Sequence, residues 1–270
     1  MPGYIRVALI LLFAVPLWLL TTRDGAADSL RVGGAGGALG TVKQLSAPFS
    51  AASGISLETV PSLGSAGGLR AIKDGMLDLA IIARPLTEKE SAAGLRTVFM
   101  TRTPFLFVTS WNSPRSHTRS EISHMLTDPK AMWEDKQPVR TILRPPSESD
   151  YTLLFAEFPG TDAGVTALRH RDDIPVASTD QENLDLAERL PGSFVTTTLA
   201  QIRTENRALW IVPVDGVVPD LASLRDGRYP FAKSFHFVVG PRSAPHVTQL
   251  ISYMQSPEGQ AVLRQAGNLP

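Results

Sequence analysis

The sequence predicts an α/β protein. Three observations carry that reading. Short apolar runs alternate with segments of helical spacing along nearly the whole chain. Glycine-rich turns join strand to helix at two places near the N-terminus. The composition is that of an ordinary globular chain, 43% hydrophobic and 19% charged. With 270 residues the chain can build two modest lobes or one large domain. It carries 26 basic and 26 acidic residues, so its formal net charge is zero. No basic excess or stripe marks a nucleic-acid binder. Any anion it binds must be caught by local geometry.

In chain order, residues 1–27 read first as an export signal. Arg6 supplies a positive start, residues 7–20 form an apolar run, and Gly25-Ala26-Ala27 offers small residues before Asp28. The run is shorter than the ~20 residues of a spanning helix. An uncleaved anchor is the alternative. The chain has no cysteine. That excludes a disulfide framework, a thiolate metal site, a cysteine nucleophile and a lipid-bearing cysteine at the junction. The expectation is a free, soluble protein held in a periplasm.

Residues 29–33 predict a strand running into a first glycine turn, 33–40. Val42, Leu45, Phe49 and Ala52 share one helix face, and Gly54 ends that helix. Residues 55–60 alternate like a strand. A second glycine turn, 62–68, leads into a helix closed by Gly75. Residues 77–83 form a continuous apolar run, the pattern of a buried strand. Further strands are expected over 105–109 and 139–143, around Val176, and over 209–214 and 234–239. Helices are expected over 120–133, 151–158, 163–170, 180–190, 244–255 and 257–266. The 180–190 helix reads as capped by Asp180. This alternation points to parallel sheets, with no internal repeat and no long linker.

The second glycine turn is the strongest candidate site. A strand ends near Val60 and a helix starts near Ser65, with glycines at 64, 67 and 68. The first N–H groups of a helix lack internal partners, and the helix dipole favours negative charge there. The Ser65 hydroxyl adds a donor; an ordinary turn with Ser65 as cap is the alternative. The first turn is neither a dinucleotide fingerprint, because Leu39 stands where the third glycine belongs, nor a nucleotide P-loop. Arg84 and Arg144 each follow a predicted strand, where open α/β sheets bind ligands. Both are placed to clamp an oxyanion, unless they serve as surface ion pairs. The five histidines are scattered and make no metal spacing, and no nucleophile elbow is present. No cofactor is implied.

Several segments together resemble the phosphate-binding protein of ABC phosphate importers, within the type 2 periplasmic-binding-protein superfamily. They are Gly33-Gly34-Ala35-Gly36-Gly37-Ala38-Leu39, Gly64-Ser65-Ala66-Gly67-Gly68, the 78–86 strand ending in Ala83-Arg84-Pro85-Leu86, Arg144, Asp226-Gly227-Arg228-Tyr229-Pro230-Phe231 and Ser256-Pro257-Glu258-Gly259-Gln260. The resemblance covers residues 29–270. It implies two α/β lobes, each a mixed sheet flanked by helices. Lobe 1 would comprise 29–105 plus 232–270, and lobe 2 106–231, with a small anion enclosed between them. It also implies a monomeric carrier, not an enzyme, that hands its ligand to a membrane ABC permease. Carried over by position, Ser65 would donate to the anion and Arg144 would pair with it. Ala38, Leu39, Ala66, Gly67, Gly68, Ser149 and Asp150 fall at the surrounding turn positions, and Arg84 at the rim.

The sequence departs from that family in four places. Ala38 replaces a threonine donor, and Ala83 replaces a carboxylate that accepts a proton from hydrogen phosphate. The loop after Arg144 carries Glu148 and Asp150, with Asp150 a candidate replacement for that acceptor. Two acids facing a buried dianion would cost several kcal/mol unless neutralised or turned away. Left unpaired, they would favour a cationic or zwitterionic solute. A ligand sensor on the same fold is the second functional class, and a phosphatase or esterase the third.

Overall fold

The structure, a computed structural model, describes residues 28–243 and 245–270. The expected export signal lies outside the described residues. The first half runs β1 (Ser29–Gly34), a 3-10 turn (Gly36–Ala38), α1 (Leu39–Ser53), β2 (Ser56–Thr59), α2 (Gly64–Lys73), β3 (Leu79–Ile82), α3 (Glu88–Ala92), β4 (Arg96–Thr109), α4 (Arg119–Thr127) and β5 (Arg140–Thr141). The second half runs α5 (Asp150–Glu157), α6 (Thr161–Leu168), α7 (Asp180–Arg189), β6 (Ser193–Thr198), α8 (Leu199–Glu205), β7 (Trp210–Val212), α9 (Leu221–Arg225), β8 (Ala232–Val239), α10 (Val247–Gln255) and α11 (Pro257–Gln265).

The sheet order is β2-β1-β3-β8-β4-β6-β5, with β7 also on β4. β1 pairs in parallel with β2 and β3, as βαβ crossovers require. β8 then runs antiparallel between β3 and β4, so the sheet is mixed rather than parallel throughout. β4 joins the two halves of the molecule. Its residues Arg96 to Pro104 pair with β8, and Phe105 to Val108 pair with β6. The sequence pattern shows only the second stretch, because the first carries Arg96, Thr97, Thr101 and Arg102 among its apolar residues. The chain crosses between halves twice, at Pro104-Phe105 and at Phe231-Ala232.

Of the four hydrophobic clusters among the described residues, the largest two sit on either side of those crossings, and the molecule is two-lobed. One packs Leu30, Val32, Leu79, Ile81, Phe235 and Phe237 against α1, α10 and α11. The other gathers Phe105, Phe107, Trp133, Phe158, Phe194 and Phe231. Phe107 and Phe158 meet edge to face at 4.9 Å. The buried Tyr229 hydroxyl donates to the Phe105 carbonyl at 2.6 Å, tying the two crossings together.

Helix starts follow local chemistry. The Thr87 and Thr118 side chains each accept from the N–H three residues on, and Glu90 and Glu121 return the bond. Thr179 likewise accepts from the Glu182 N–H at 3.1 Å. Asp180 is therefore not the cap of α7, as the sequence suggested. Its carboxylate is left for another task. The expected 120–133 helix stops at Thr127, and β6 and α8 arise where no element was expected.

Candidate functional site

The first glycine turn is buried. Gly34 has φ of 127°, and a Cβ there would lie 2.1 Å from the Ile81 carbonyl oxygen, so only glycine fits. Ala38 and Leu39 are buried at the start of α1, and the Ala38 side chain belongs to the first core. The Gly37 N–H points out of this turn at the other lobe, and donates to Asp180 Oδ2 at 3.0 Å. Beside it, Gln181 Nε2 donates to the Gly36 carbonyl at 3.1 Å. The N-terminus of α7 thus docks on the turn.

The second glycine turn is α2's first turn, as the sequence predicts, but its glycines serve packing. A Cβ on Gly68 would lie 2.9 Å from the Gly34 Cα, so this residue lets α2 lie against β1. A Cβ on Gly67 would meet Leu63 Cβ at 2.9 Å. Ala66 is exposed. Ser65 Oγ accepts from the Ala83 N–H at 3.0 Å, which ties the turn to the end of β3.

Arg144 is buried, with 4% of its surface exposed. Its guanidinium donates to the Ala177 carbonyl at 3.0 Å and to Asp180 Oδ1 at 3.3 Å, and pairs with Glu148 Oε1 at 3.1 Å. Asp180 therefore bridges Arg144 and the Gly37 N–H. Lys233, also buried, pairs with Asp150, whose other oxygen accepts from Thr196 Oγ1 at 3.1 Å. Burial works to lower the Lys233 ammonium, but Asp150, Asp180 and Glu148 outweigh it and raise it. Burial raises the Glu148 carboxyl against the pull of Arg144, with Asp180 and Asp150 adding to the rise. The charges fall into two buried groups, Arg144 with Glu148 and Asp180, and Lys233 with Asp150. The condition that would favour a cationic or zwitterionic solute is not met: Glu148 and Asp150 each hold a cation.

Next to the Lys233–Asp150 pair lies an interlobe cavity of about 550 Å³. Ala83 and Arg84 line it from one side, Ser149, Asp150 and Thr152 from the start of α5 and the residue before it, and Phe105, Phe231, Lys233 and Ser234 from around the crossings. It brings together Arg84, Ser149 and Asp150 of the residues singled out from sequence. Ser65, Ala66, Gly67, Gly68, Ala38, Leu39 and Arg144 do not line it. Arg84 sits at its rim but is not a free clamp. Both of its terminal nitrogens donate to Glu90, at 2.8 Å each. That fork holds the Glu90 carboxyl down to about 2. Ser149 makes no side-chain capping bond at the start of α5.

Sequence reasoning missed Lys233, Asp180 and Thr196. Lys233 had a readable signal. Lys233, Phe235 and Phe237 alternate on one buried face of β8, just after the buried Phe231, so a lysine stands at a core position. Thr179 and Glu182, spaced as a capping box, would have freed Asp180 from the capping role.

A family model described as "PBP superfamily domain" matches residues 21–258. No curated protein matches the chain. Among solved structures, one from Clostridium perfringens, assigned as a phosphate ABC transporter substrate-binding protein with bound phosphate, aligns with TM-score 0.75 at 15% identity, over 90% of this chain and 99% of that one. An ABC-type phosphate transport receptor from Vibrio cholerae gives 0.59 at 13% identity, over 89% and 99%. A periplasmic molybdate-binding protein from Azotobacter vinelandii gives 0.59 at 17%, also over 89% and 99%. At these identities the likeness is one of fold.

Proposed function

Because the chain belongs to the PBP superfamily, we propose that it is a periplasmic solute-binding protein that captures a small oxyanion, phosphate or a relative, and passes it to a membrane ABC permease. Lobe 1 comprises about 29–105 plus 232–270, and lobe 2 106–231. The protein is exported by removal of residues 1–27 and acts as a monomer, without catalysis.

The observation that carries this reading is the interlobe cavity with Lys233 in its wall. Lys233 and the hydroxyls of Ser149, Thr152 and Ser234 offer donors from the crossing strands and from the N-terminal turn of α5. A ligand bound there touches both lobes and so favours the closed state over the open one. The neighbours named above, a phosphate and a molybdate carrier among them, support an anion. Isothermal titration with phosphate, sulfate and molybdate tests the proposal. Saturable one-to-one binding that Lys233→Met abolishes is the expected result. Binding of a cationic solute with no anion binding would defeat it.

A further inference from the structure

We propose that the interlobe cavity is built for an organic monoanion, its oxyanion head at Lys233 and Ser149 and its apolar body against Phe105, Phe231 and Leu153. The inference rests on the oxyanion-carrier reading and narrows its ligand class.

Size is the first argument. An inorganic tetrahedral oxyanion displaces roughly two or three waters, on the order of 60–90 Å³. The cavity holds about 550 Å³, within the roughly 300–1,000 Å³ range of pockets for organic ligands. A bare ion leaves most of that space to water.

The second argument is the wall. Phe105, Phe231, Leu153, Met100, Ala156 and Pro230 line the cavity together with its polar groups. Met100 keeps 44% of its surface exposed there. Apolar surface of this kind contributes nothing to holding a hydrated inorganic ion, but gains from covering a hydrocarbon.

Charge is the third. Of the cations that line the cavity, Lys233 is already answered by Asp150 and Arg84 by Glu90. A second negative charge on the ligand would find no cation to meet it. A single charge shared among Lys233 and neutral hydroxyl donors, with affinity drawn from the apolar body, fits both the charge count and the wall.

Paired probes that differ by a ring test this: acetate against benzoate, and inorganic phosphate against phenylphosphonate, titrated calorimetrically into the purified protein. The expected result is that the ring tightens binding at least tenfold in each pair. Ala156→Trp, at an exposed position on α5 that lines the cavity, should bring that ratio to about one. Leu153→Ala, which trims the wall without adding bulk, should lower it about threefold. If ring-free anions bind and the ring gains less than tenfold, the inference falls and the oxyanion reading stands. A ratio that survives Ala156→Trp also overturns the inference, since the ring then lies elsewhere. If none of the four probes binds, the inference falls, and the oxyanion reading is decided by the sulfate and molybdate titrations.

Discussion

Replacing Asp180 by asparagine should open the free protein and weaken its hold on anions. Asp180 Oδ2 accepts the Gly37 N–H at 3.0 Å, and this bond runs from one lobe to the other. Its second oxygen takes Arg144, which lies in the same lobe as Asp180. The side chain is only 15% exposed, so solvent screens the contact little. A hydrogen bond to a charged group contributes about 1.5–3 kcal/mol and a neutral one about 0.5–1.5. Asparagine keeps the geometry and loses the charge. The interlobe clasp should therefore weaken by about 1–2 kcal/mol, a factor of roughly 5–30 in the closed-to-open ratio. If ligand binds the closed form, apparent affinity falls with the closed population, by up to that factor. Small-angle scattering of the free protein should show a larger radius for Asp180→Asn, and calorimetry a weaker anion affinity. Tighter anion binding by the variant would refute the reasoning. Asp180 would then compete with the ligand for Gly37 and Arg144 rather than fasten the lobes.

Three further outcomes follow from the ion pairs. Asp150→Asn leaves the buried Lys233 ammonium without its main partner, so stability should drop by about 3–5 kcal/mol; a bound anion should restore part of it, giving a larger ligand-induced Tm shift than in the wild type. Arg84→Ala should change anion affinity less than threefold, because Glu90 already holds the guanidinium, while NMR titration should show the Glu90 carboxyl rising from about 2 toward the ordinary 4.5. Glu148 titrates above its ordinary 4.5 because burial favours the neutral acid. The native state therefore binds more protons than the unfolded chain in that window, and stability should fall as pH rises from 4.5 through the raised value. Denaturant titrations across that window should show the slope flattened in Glu148→Gln.

Much of the architecture could be read from periodicity. The strands at 29–34 and 79–82 and the helices that follow the two glycine turns announce themselves by apolar spacing and by glycines at their ends. The N-terminal half of β4 did not, because Arg96 and Arg102 break the apolar run on a strand whose order comes from pairing with β8. β6 and α8 escaped notice for a related reason. Ser193 to Thr198 is rich in small hydroxyl residues that tertiary contacts bury.

The site was legible by region and not by residue. Sequence placed the functional crevice at strand ends and helix starts, and Ser149 and Asp150 do line the cavity. It assigned Gly67 and Gly68 to a ligand, whereas their missing side chains make room for Leu63 and for the β1 backbone. It read Arg144 as an oxyanion clamp or a surface ion pair, because no local pattern reveals that Glu148 and Asp180, both further along the chain, converge on it in the buried interior. Ion-pair partners 36 residues apart are a property of the fold. Lys233 differs: its place among alternating phenylalanines was visible in the sequence.

The account stands most directly on where a bound anion sits. A crystal structure of the protein with its tightest-binding anion should place the charged head within about 3 Å of Lys233 Nζ and Ser149 Oγ, at ordinary hydrogen-bond distance, with Asp180 still bonded to the Gly37 N–H. An anion found instead at the N-terminus of α2, or between Arg144 and Gly37 with Asp180 displaced, would contradict it.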